Sequence, residues 1–145
     1  MIGTRIVGPE DAVWAEAMRE LRHDVHHLPG WAVATAPLEG GTPAAVIAES
    51  PRAGTGGRAL LLAPFVRREL DGGRWDAVSP YGYAGPALSG PAATVGATDL
   101  LTAAVERLAT EGAVSWFLRT HPVLDGWAAE HPAARAHGEV VVLDL

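Results

Sequence analysis

Two apolar segments joined by a tight turn constrain the fold of this chain more than any other feature. A long run over residues 59–70, apolar from residue 59 to residue 66, is followed by the turn Asp71-Gly-Gly-Arg74, and Trp75–Val78 opens a second run. A short Asp/Gly connection between two such runs is a strong hairpin signal, because glycine adopts the positive φ values that tight turns require. The sequence therefore predicts two adjacent antiparallel strands here.

Helical spacing of apolar residues marks two further segments. Residues 10–28 carry apolar side chains three and four positions apart, and Pro29-Gly30 is expected to stop this helix. A second helix is capped by Thr98 or Asp99 and runs to about Thr110. Its predicted buried face consists of Leu100, Leu101, Ala104, Val105 and Leu108.

Short apolar runs predict the remaining elements. Residues 43–48 form a strand that is connected through residues 53–57 to the central hairpin, and residues 113–120 form a buried strand. A short helix over 124–131 and a last strand over 139–145 follow. The order of helix, three-strand meander, helix, strand, helix and strand predicts an α/β fold, a mixed sheet flanked by helices, in one domain.

Composition excludes several function classes. The net charge is −6, and the eleven basic residues are scattered arginines, so no basic stripe follows a DNA phosphate backbone. No apolar run approaches the roughly 20 residues of a membrane helix. Cysteine is absent, which excludes disulfides and thiolate metal sites. We expect a cytoplasmic protein that binds neither DNA nor membrane.

An aromatic loop follows the hairpin. Tyr81 and Tyr83 stand among glycines and prolines in residues 76–86, a composition that favours a shaped loop over a continuous strand. Such tyrosines offer flat apolar faces with polar tips, which suits ligand binding. The sequence equally permits a structural role in which both rings close the open end of the sheet.

A cluster of titratable residues ends the first predicted helix. His23, His26 and His27 share one side of that helix, a spacing that permits a metal site, although histidines at a helix C-terminus also complement its dipole. We expect no metal. Asp24 is instead a candidate acceptor of a hydrogen bond from a substrate amine or hydroxyl, with His26 or His27 as a proton acceptor.

A second candidate group lies on the predicted strand over residues 113–120. Arg119 and His121 are expected to face the same way, with Phe117 pointing opposite toward the core. An arginine beside a histidine can bind a phosphate or carboxylate. We favour the alternative that they form ion pairs within the protein, with Asp24, Asp76 or Asp125 as partner.

Five segments, in order along the chain, resemble the FemAB-like branch of the GNAT acyltransferases. The resemblance covers nearly the whole sequence. The segments are Asp24-Val-His-His-Leu-Pro-Gly-Trp31, Leu61-Leu-Ala-Pro-Phe-Val-Arg-Arg68, Ser79-Pro-Tyr-Gly-Tyr-Ala-Gly-Pro86, Phe117-Leu-Arg-Thr-His-Pro-Val-Leu124 and Gly138-Glu-Val-Val-Val-Leu-Asp-Leu145. The resemblance implies a GNAT-like fold over residues 1–145, which would be the first half of a tandem two-domain protein.

The resemblance also implies a function. The complete enzyme would move an acyl or aminoacyl group from acyl-CoA or aminoacyl-tRNA onto an amine of a peptide precursor or small metabolite. This domain would bind the acceptor, and its partner would be a second GNAT-like domain or another chain. The residues that would bind the substrate are Asp24, His26, His27, Tyr81, Tyr83, Arg119 and His121.

Donor binding by this domain alone is not expected. Residues 85–98 stand where GNAT enzymes bind the coenzyme A pyrophosphate on backbone amides, yet no arginine or glutamine opens the segment, and Pro86 and Pro91 remove two N–H donors. Two alternatives remain open. The chain is an acetyl-CoA-dependent N-acetyltransferase completed by homodimerisation, or a non-catalytic module that pairs through its last strand.

Overall fold

A six-stranded mixed sheet organises the computed structural model, which describes residues 1–51, 58–89, 96–124 and 134–136. The sheet order is β1-β2-β3-β4-β6, with β5 paired to β3. Neighbours are antiparallel except for β4 and β6, which run parallel. The strands are β1 (Gly3–Val7), β2 (Thr42–Pro51), β3 (Arg58–Glu69), β4 (Trp75–Val78), β5 (Ala87–Leu88) and β6 (Ala113–Phe117).

Within the described residues, three α-helices cover the two faces of this sheet: α1 (Ala12–Met18), α2 (Pro29–Glu39) and α3 (Ala97–Thr110). Because side chains alternate along a strand, β2 buries Val46 and Ala48 against α3, and Ala45 and Ile47 against α1. The long strand β3 alternates in the same way. Both faces of the central strands are therefore buried, and the chain is a mixed α/β domain with helices flanking the sheet, as predicted.

The predicted central hairpin is confirmed. β3 and β4 pair antiparallel from Val66 with Val78 to Glu69 with Trp75, and a 3₁₀ turn over Asp71–Gly73 joins them. β2 and β3 also pair antiparallel, although their predicted connection over residues 53–57 lies outside the described residues. The meander is therefore present. β1 and the two-residue strand β5 were not predicted.

The second predicted helix is confirmed as α3, but two of its details are wrong. Gly96 is the N-cap, with a φ of 88° and no side-chain cap, where the sequence suggested Thr98 or Asp99. Leu100, Leu101 and the other predicted apolar positions are buried, except that Val105 is 47 % exposed. That position turns away from the sheet because the buried stripe of a helix is only about 100° wide.

The predicted helix over residues 10–28 is wrong in extent. α1 ends at Met18, and Asp24, in extended conformation, caps a 3₁₀ turn over Val25–His27. Pro29 does not stop a helix but starts α2, since proline at the first helical position loses only an N–H that has no partner there. Consequently the histidines do not share one side of a helix.

The strand predicted over residues 113–120 is shorter and less buried than expected. β6 ends at Phe117, whose side chain is 60 % exposed, so its predicted core position is wrong. Trp116, its neighbour in sequence, packs on the α3 side instead, and alternation turns Phe117 to the other face. Arg119 and His121 therefore lie beyond the strand.

Other predictions concern parts of the chain that the structure does not describe. The helix over residues 124–131 and the strand over residues 139–145 fall almost wholly outside the described residues, with Leu124 itself in a turn. Among the helices that are described, none is long and apolar enough to cross a membrane.

Candidate functional site

A carboxylate at the start of the 3₁₀ turn organises the candidate site. Oδ1 of Asp24 accepts a hydrogen bond from the backbone N–H of His26 at 2.9 Å, which caps the turn. Oδ2 of the same carboxylate lies 2.8 Å from Nδ1 of the His26 ring. Both contacts arise because the chain leaves helical geometry at Asp24, so its side chain folds back over the residues that follow.

His121 reaches the same carboxylate from the far end of the chain. Its Nε2 lies 2.7 Å from Oδ2 of Asp24, while its Nδ1 accepts the backbone N–H groups of Val123 and Leu124 at 3.1 Å each. A nitrogen that accepts two N–H groups carries no proton, and a neutral imidazole has one. The proton of His121 therefore sits on Nε2 and is donated to Asp24.

The ionised Asp24 fixes the tautomer of His26. Burial by itself raises the pKa of the Asp24 carboxyl, but the ring and backbone hydrogen bonds from His26, with the charge interactions of Asp24 with His26 and His27, lower it to about 2. A carboxylate accepts only, so the neutral His26 ring carries its proton on Nδ1. Its Nε2 therefore carries a free lone pair. This nitrogen forms no hydrogen bond within the described part of the chain, and the His26 side chain is 20 % exposed.

His27 packs beneath this group. The residue is fully buried, and burial lowers the pKa of its ring, opposed by the charge of Asp24. Its Nδ1 lies 3.0 Å from Oδ1 of Asp24, and its backbone carbonyl accepts the indole N–H of Trp14 at 3.0 Å. We therefore assign His27 to the support of the site, out of reach of a ligand.

Neighbouring groups already occupy most of the hydrogen-bonding positions of Asp24. A carboxylate offers about four lone-pair positions. Here Oδ1 accepts the backbone N–H of His26, and Oδ2 meets the ring nitrogens of His26 and His121. Nδ1 of His27 also lies 3.0 Å from Oδ1, but this nitrogen accepts the backbone N–H of Asp24 at 3.2 Å. The geometry favours Asp24 as a residue that orients histidines over direct contact with an acceptor.

Donor atoms of Asp24, His26 and His121 lie within 4.8 Å of one another, which permits a metal site by spacing. A metal-bound histidine normally donates the proton of its other nitrogen to a neighbouring group. Nδ1 of His121 accepts two N–H groups instead, so this ring would have to lose both protons to bind a metal. The donor set fits a hydrogen-bonded cluster and does not fit a metal centre.

The metal arrangement suggested by the sequence is not formed. His23 turns away from the cluster and donates through Nδ1 to the carbonyl of Leu21 at 2.8 Å. His27 is buried against Trp14 and Asp24. The physical reason is the break in the first helix, which removes the spacing of three and four that would have permitted a metal site.

The aromatic loop lies directly against this cluster. Gly82 has a φ of +90°, and a Cβ atom at this position would overlap Cδ2 of the His26 ring. The indole N–H of Trp31 donates to the carbonyl of Tyr81 at 2.8 Å, which ties the loop to α2. The loop therefore requires glycine at this position for two separate reasons, backbone conformation and space.

The rings of Trp31, Tyr83 and His121 lie around the His26 ring. Trp31 meets it edge to face with ring centroids 5.1 Å apart, and Tyr83 does so at 5.9 Å. Tyr83 also meets His121 at 6.1 Å, while 40 % of its surface remains exposed. Tyr81, which is 59 % exposed, contributes its carbonyl to the contact with Trp31. Of the two tyrosines, Tyr83 has its ring in the cluster.

Arg119 forms an ion pair, as expected, but with an unexpected partner. Its guanidinium donates to Oε1 of Glu39 and to the carbonyl of Ser79, at 2.8 and 2.7 Å, and its backbone N–H donates to Oγ of Ser79 at 3.0 Å. Asp76, one of the suggested partners, pairs with Arg68. Arg119 therefore joins the end of α2 to the start of the aromatic loop, apart from the histidines.

Sequence reasoning missed two residues of this site. Trp31 and Gly82 were part of the segments used for the family resemblance, but neither was a candidate by itself. The signal for Gly82 was present, because a glycine between two tyrosines in a shaped loop indicates either positive φ or close packing. Trp31 was missed because the sequence predicted that Pro29-Gly30 stops a helix, whereas Pro29 begins α2, the helix that contains Trp31.

The comparisons with known proteins give a fold likeness. No protein-family model matches the chain, and no curated protein matches it. A crystal structure of an acetyltransferase from Trypanosoma brucei superposes over 100 % of both chains, with 15 % sequence identity and a TM-score of 0.48. A likeness at this level assigns no chemistry to the chain.

Proposed function

We propose that this domain binds the acceptor amine of an N-acyl or aminoacyl transfer reaction, with His26 as general base. The observation that carries the proposal is the Asp24–His26 pair, in which the carboxylate holds Nδ1–H and leaves the lone pair of Nε2 beside the aromatic loop. A histidine oriented in this way by a carboxylate takes a proton from a bound group.

Proton transfer is the chemistry that these residues supply. An acceptor N–H placed within hydrogen-bond distance of Nε2 would pass its proton to His26 as the nitrogen bonds to the acyl carbon. As this bond forms, the bond between the acyl carbon and the leaving group of the donor breaks. The positive charge that develops on the His26 ring is stabilised by Asp24, whose low pKa keeps it ionised.

The rings of Trp31 and Tyr83 support an amine acceptor. They flank His26 and offer π surfaces to which an ammonium group is attracted. Tyr83 and Tyr81 are both partly exposed, so a ligand can reach this side of the loop. A peptide or small-metabolite amine fits these surroundings. Arg119, engaged by Glu39 and Ser79, supports the loop in this account.

The acyl donor is proposed to come from a second domain or another chain. α3 begins where a GNAT enzyme would hold a pyrophosphate, and its first turn contains Asp99. A carboxylate there already occupies the positive end of the helix dipole and repels an anion. The described residues of this region therefore do not fit coenzyme A, and we derive no step through it.

A direct test is mapping of ligand contacts by NMR on the ¹⁵N-labelled chain. Titration with Nα-acetyl-lysine methylamide, a soluble primary amine, is expected to shift the signals of the His26 ring, Trp31, Gly82 and Tyr83. Acetyl-CoA is expected to shift none of them. The same lysine derivative acetylated on its Nε is the matched control, because it lacks the basic amine.

Two variants separate the site from general surface binding. His26→Asn is expected to abolish the response to the amine, whereas His23→Asn, on an exposed residue outside the cluster, is expected to leave it unchanged. Equal responses to the amine and its acetylated control would contradict the proposal. Saturable binding of acetyl-CoA would instead favour a self-sufficient acetyltransferase.

A further inference from the structure

Two histidines from distant parts of the sequence share a single oxygen atom. Oδ2 of Asp24 receives Nδ1 of His26 at 2.8 Å and Nε2 of His121 at 2.7 Å. The second contact joins residues 97 positions apart. The negative charge of that oxygen is therefore divided between two donors.

The His121 donor is held in place by the backbone. Val123 and Leu124 both direct their N–H groups at Nδ1, which keeps the proton of the neutral ring on Nε2. The His121 side chain is 13 % exposed, so its orientation is also restricted by packing. The ring thus presents a permanent N–H to Asp24 whenever it is neutral.

We infer that His121 is a positioning residue that limits the basicity of His26 by sharing the Asp24 oxygen with it. A hydrogen bond to a carboxylate stabilises its negative charge. The carboxylate then stabilises a positive charge on a second partner less strongly. His121 contacts Asp24 and Tyr83, and its ring centroid lies 6.3 Å from that of His26, while its hydrogen bond reaches the base through the carboxylate. The inference rests on the proposed function of His26 as general base.

The consequence for catalysis follows from the pH at which a base works. An imidazole paired with an undivided, partly buried carboxylate holds its proton to higher pH, and a base that is already protonated cannot accept another proton. With the Asp24 charge divided between two donors, less of it stabilises a second proton on the His26 ring. His121 therefore widens the pH range in which His26 can act.

Few other titratable groups face His26. Its described neighbours are Asp24, the buried His27 on the same turn, His121 and the phenol of Tyr83. Trp31 from α2 and Gly82 from the aromatic loop carry no charge. Loss of His121 should thus change the titration of His26 chiefly through Asp24.

The test is the pH titration of the His26 ring signals, followed by NMR in the full chain. His121→Leu removes the donor, and we expect the His26 midpoint to rise by about one pH unit, the size of one charge-assisted hydrogen bond. His121→Phe, which keeps a ring but has no nitrogen, should give the same rise and serves if the leucine variant fails to fold.

His121→Gln is the matched control, because its amide N–H can still donate to Asp24. Its His26 midpoint is expected to stay close to that of the unaltered chain. An unchanged or lower midpoint in the leucine and phenylalanine variants would overturn the inference, and so would an equal rise in the glutamine variant. No acceptor or donor is present in this titration, so its outcome is independent of the amine-binding test of the proposed function.

Discussion

Gly82 shows how tightly the aromatic loop fits the candidate base. Its φ of +90° is rare for residues with a side chain, and a Cβ would overlap the His26 ring. We expect Gly82→Ala to lower the free energy of unfolding by about 3 kcal/mol, of which about 1 kcal/mol is the cost of the left-handed backbone and the rest is overpacking. Urea unfolding measures this difference.

Gly72 provides the control for that substitution. Its φ is +72°, but a Cβ at this position would have nothing within 4 Å, so Gly72→Ala has only the backbone cost of about 1 kcal/mol. Equal destabilisation by both substitutions would show that the loop does not press against His26. A shift of the His26 ring signals in the Gly82 variant alone would support the contact.

At the scale of single residues, the sequence indicated most of the site but not the role of each member. Asp24, His26 and His121 were all candidates, and the structure brings them together. Asp24 was expected to meet the substrate, yet its oxygens are taken by the histidines. Which lone pairs remain open depends on contacts between residues far apart in sequence, and no local pattern contains that information.

At the scale of elements, Arg119 connects α2 to the aromatic loop. Glu39, which it pairs with, has a side chain that is only 11 % exposed, and the carbonyl of Ser79 shares the same guanidinium. Arg119→Met leaves both acceptors without this donor. We expect a loss of about 2 kcal/mol in the free energy of unfolding, the cost of partly buried groups that lose a charged partner.

The matched control is Arg107→Met on α3. Arg107 pairs with Glu111 four residues later on a partly exposed helix surface, a contact worth about 0.3–0.5 kcal/mol. Chemical denaturation of both variants compares the two ion pairs directly. A loss in the Arg119 variant no larger than that in the Arg107 variant would mean that this arginine does not hold the loop.

Elements with strong local signals were predictable from the sequence. The central hairpin and α3 have a turn motif and a clear apolar period, and both are present. The prediction of one helix over residues 10–28 was wrong because the apolar spacing continues past Met18, where α1 ends. Asp24 caps a separate 3₁₀ turn, and Pro29 starts α2. Proline both ends and begins helices, and the spacing alone does not decide between the two.

At the scale of the whole molecule, the fold class could be predicted because both faces of the central strands need apolar cover. Alternate residues of β2 pack on α3 and α1, which is what a sheet with helices on both sides requires. The burial of β6 could not be judged in the same way. Its apolar composition predicts a buried strand, but Phe117 is exposed in the part of the chain that the structure describes.

The most direct test of the central claim is the proton position on the rings of His26 and His121. Multiple-bond ¹H–¹⁵N NMR spectra of the labelled chain, at a pH where both rings are neutral, distinguish protonated from unprotonated ring nitrogens. The account predicts opposite tautomers around one carboxylate, with the proton on Nδ1 in His26 and on Nε2 in His121. A His26 ring protonated on Nε2 would contradict it, since that nitrogen would have no lone pair to accept a proton.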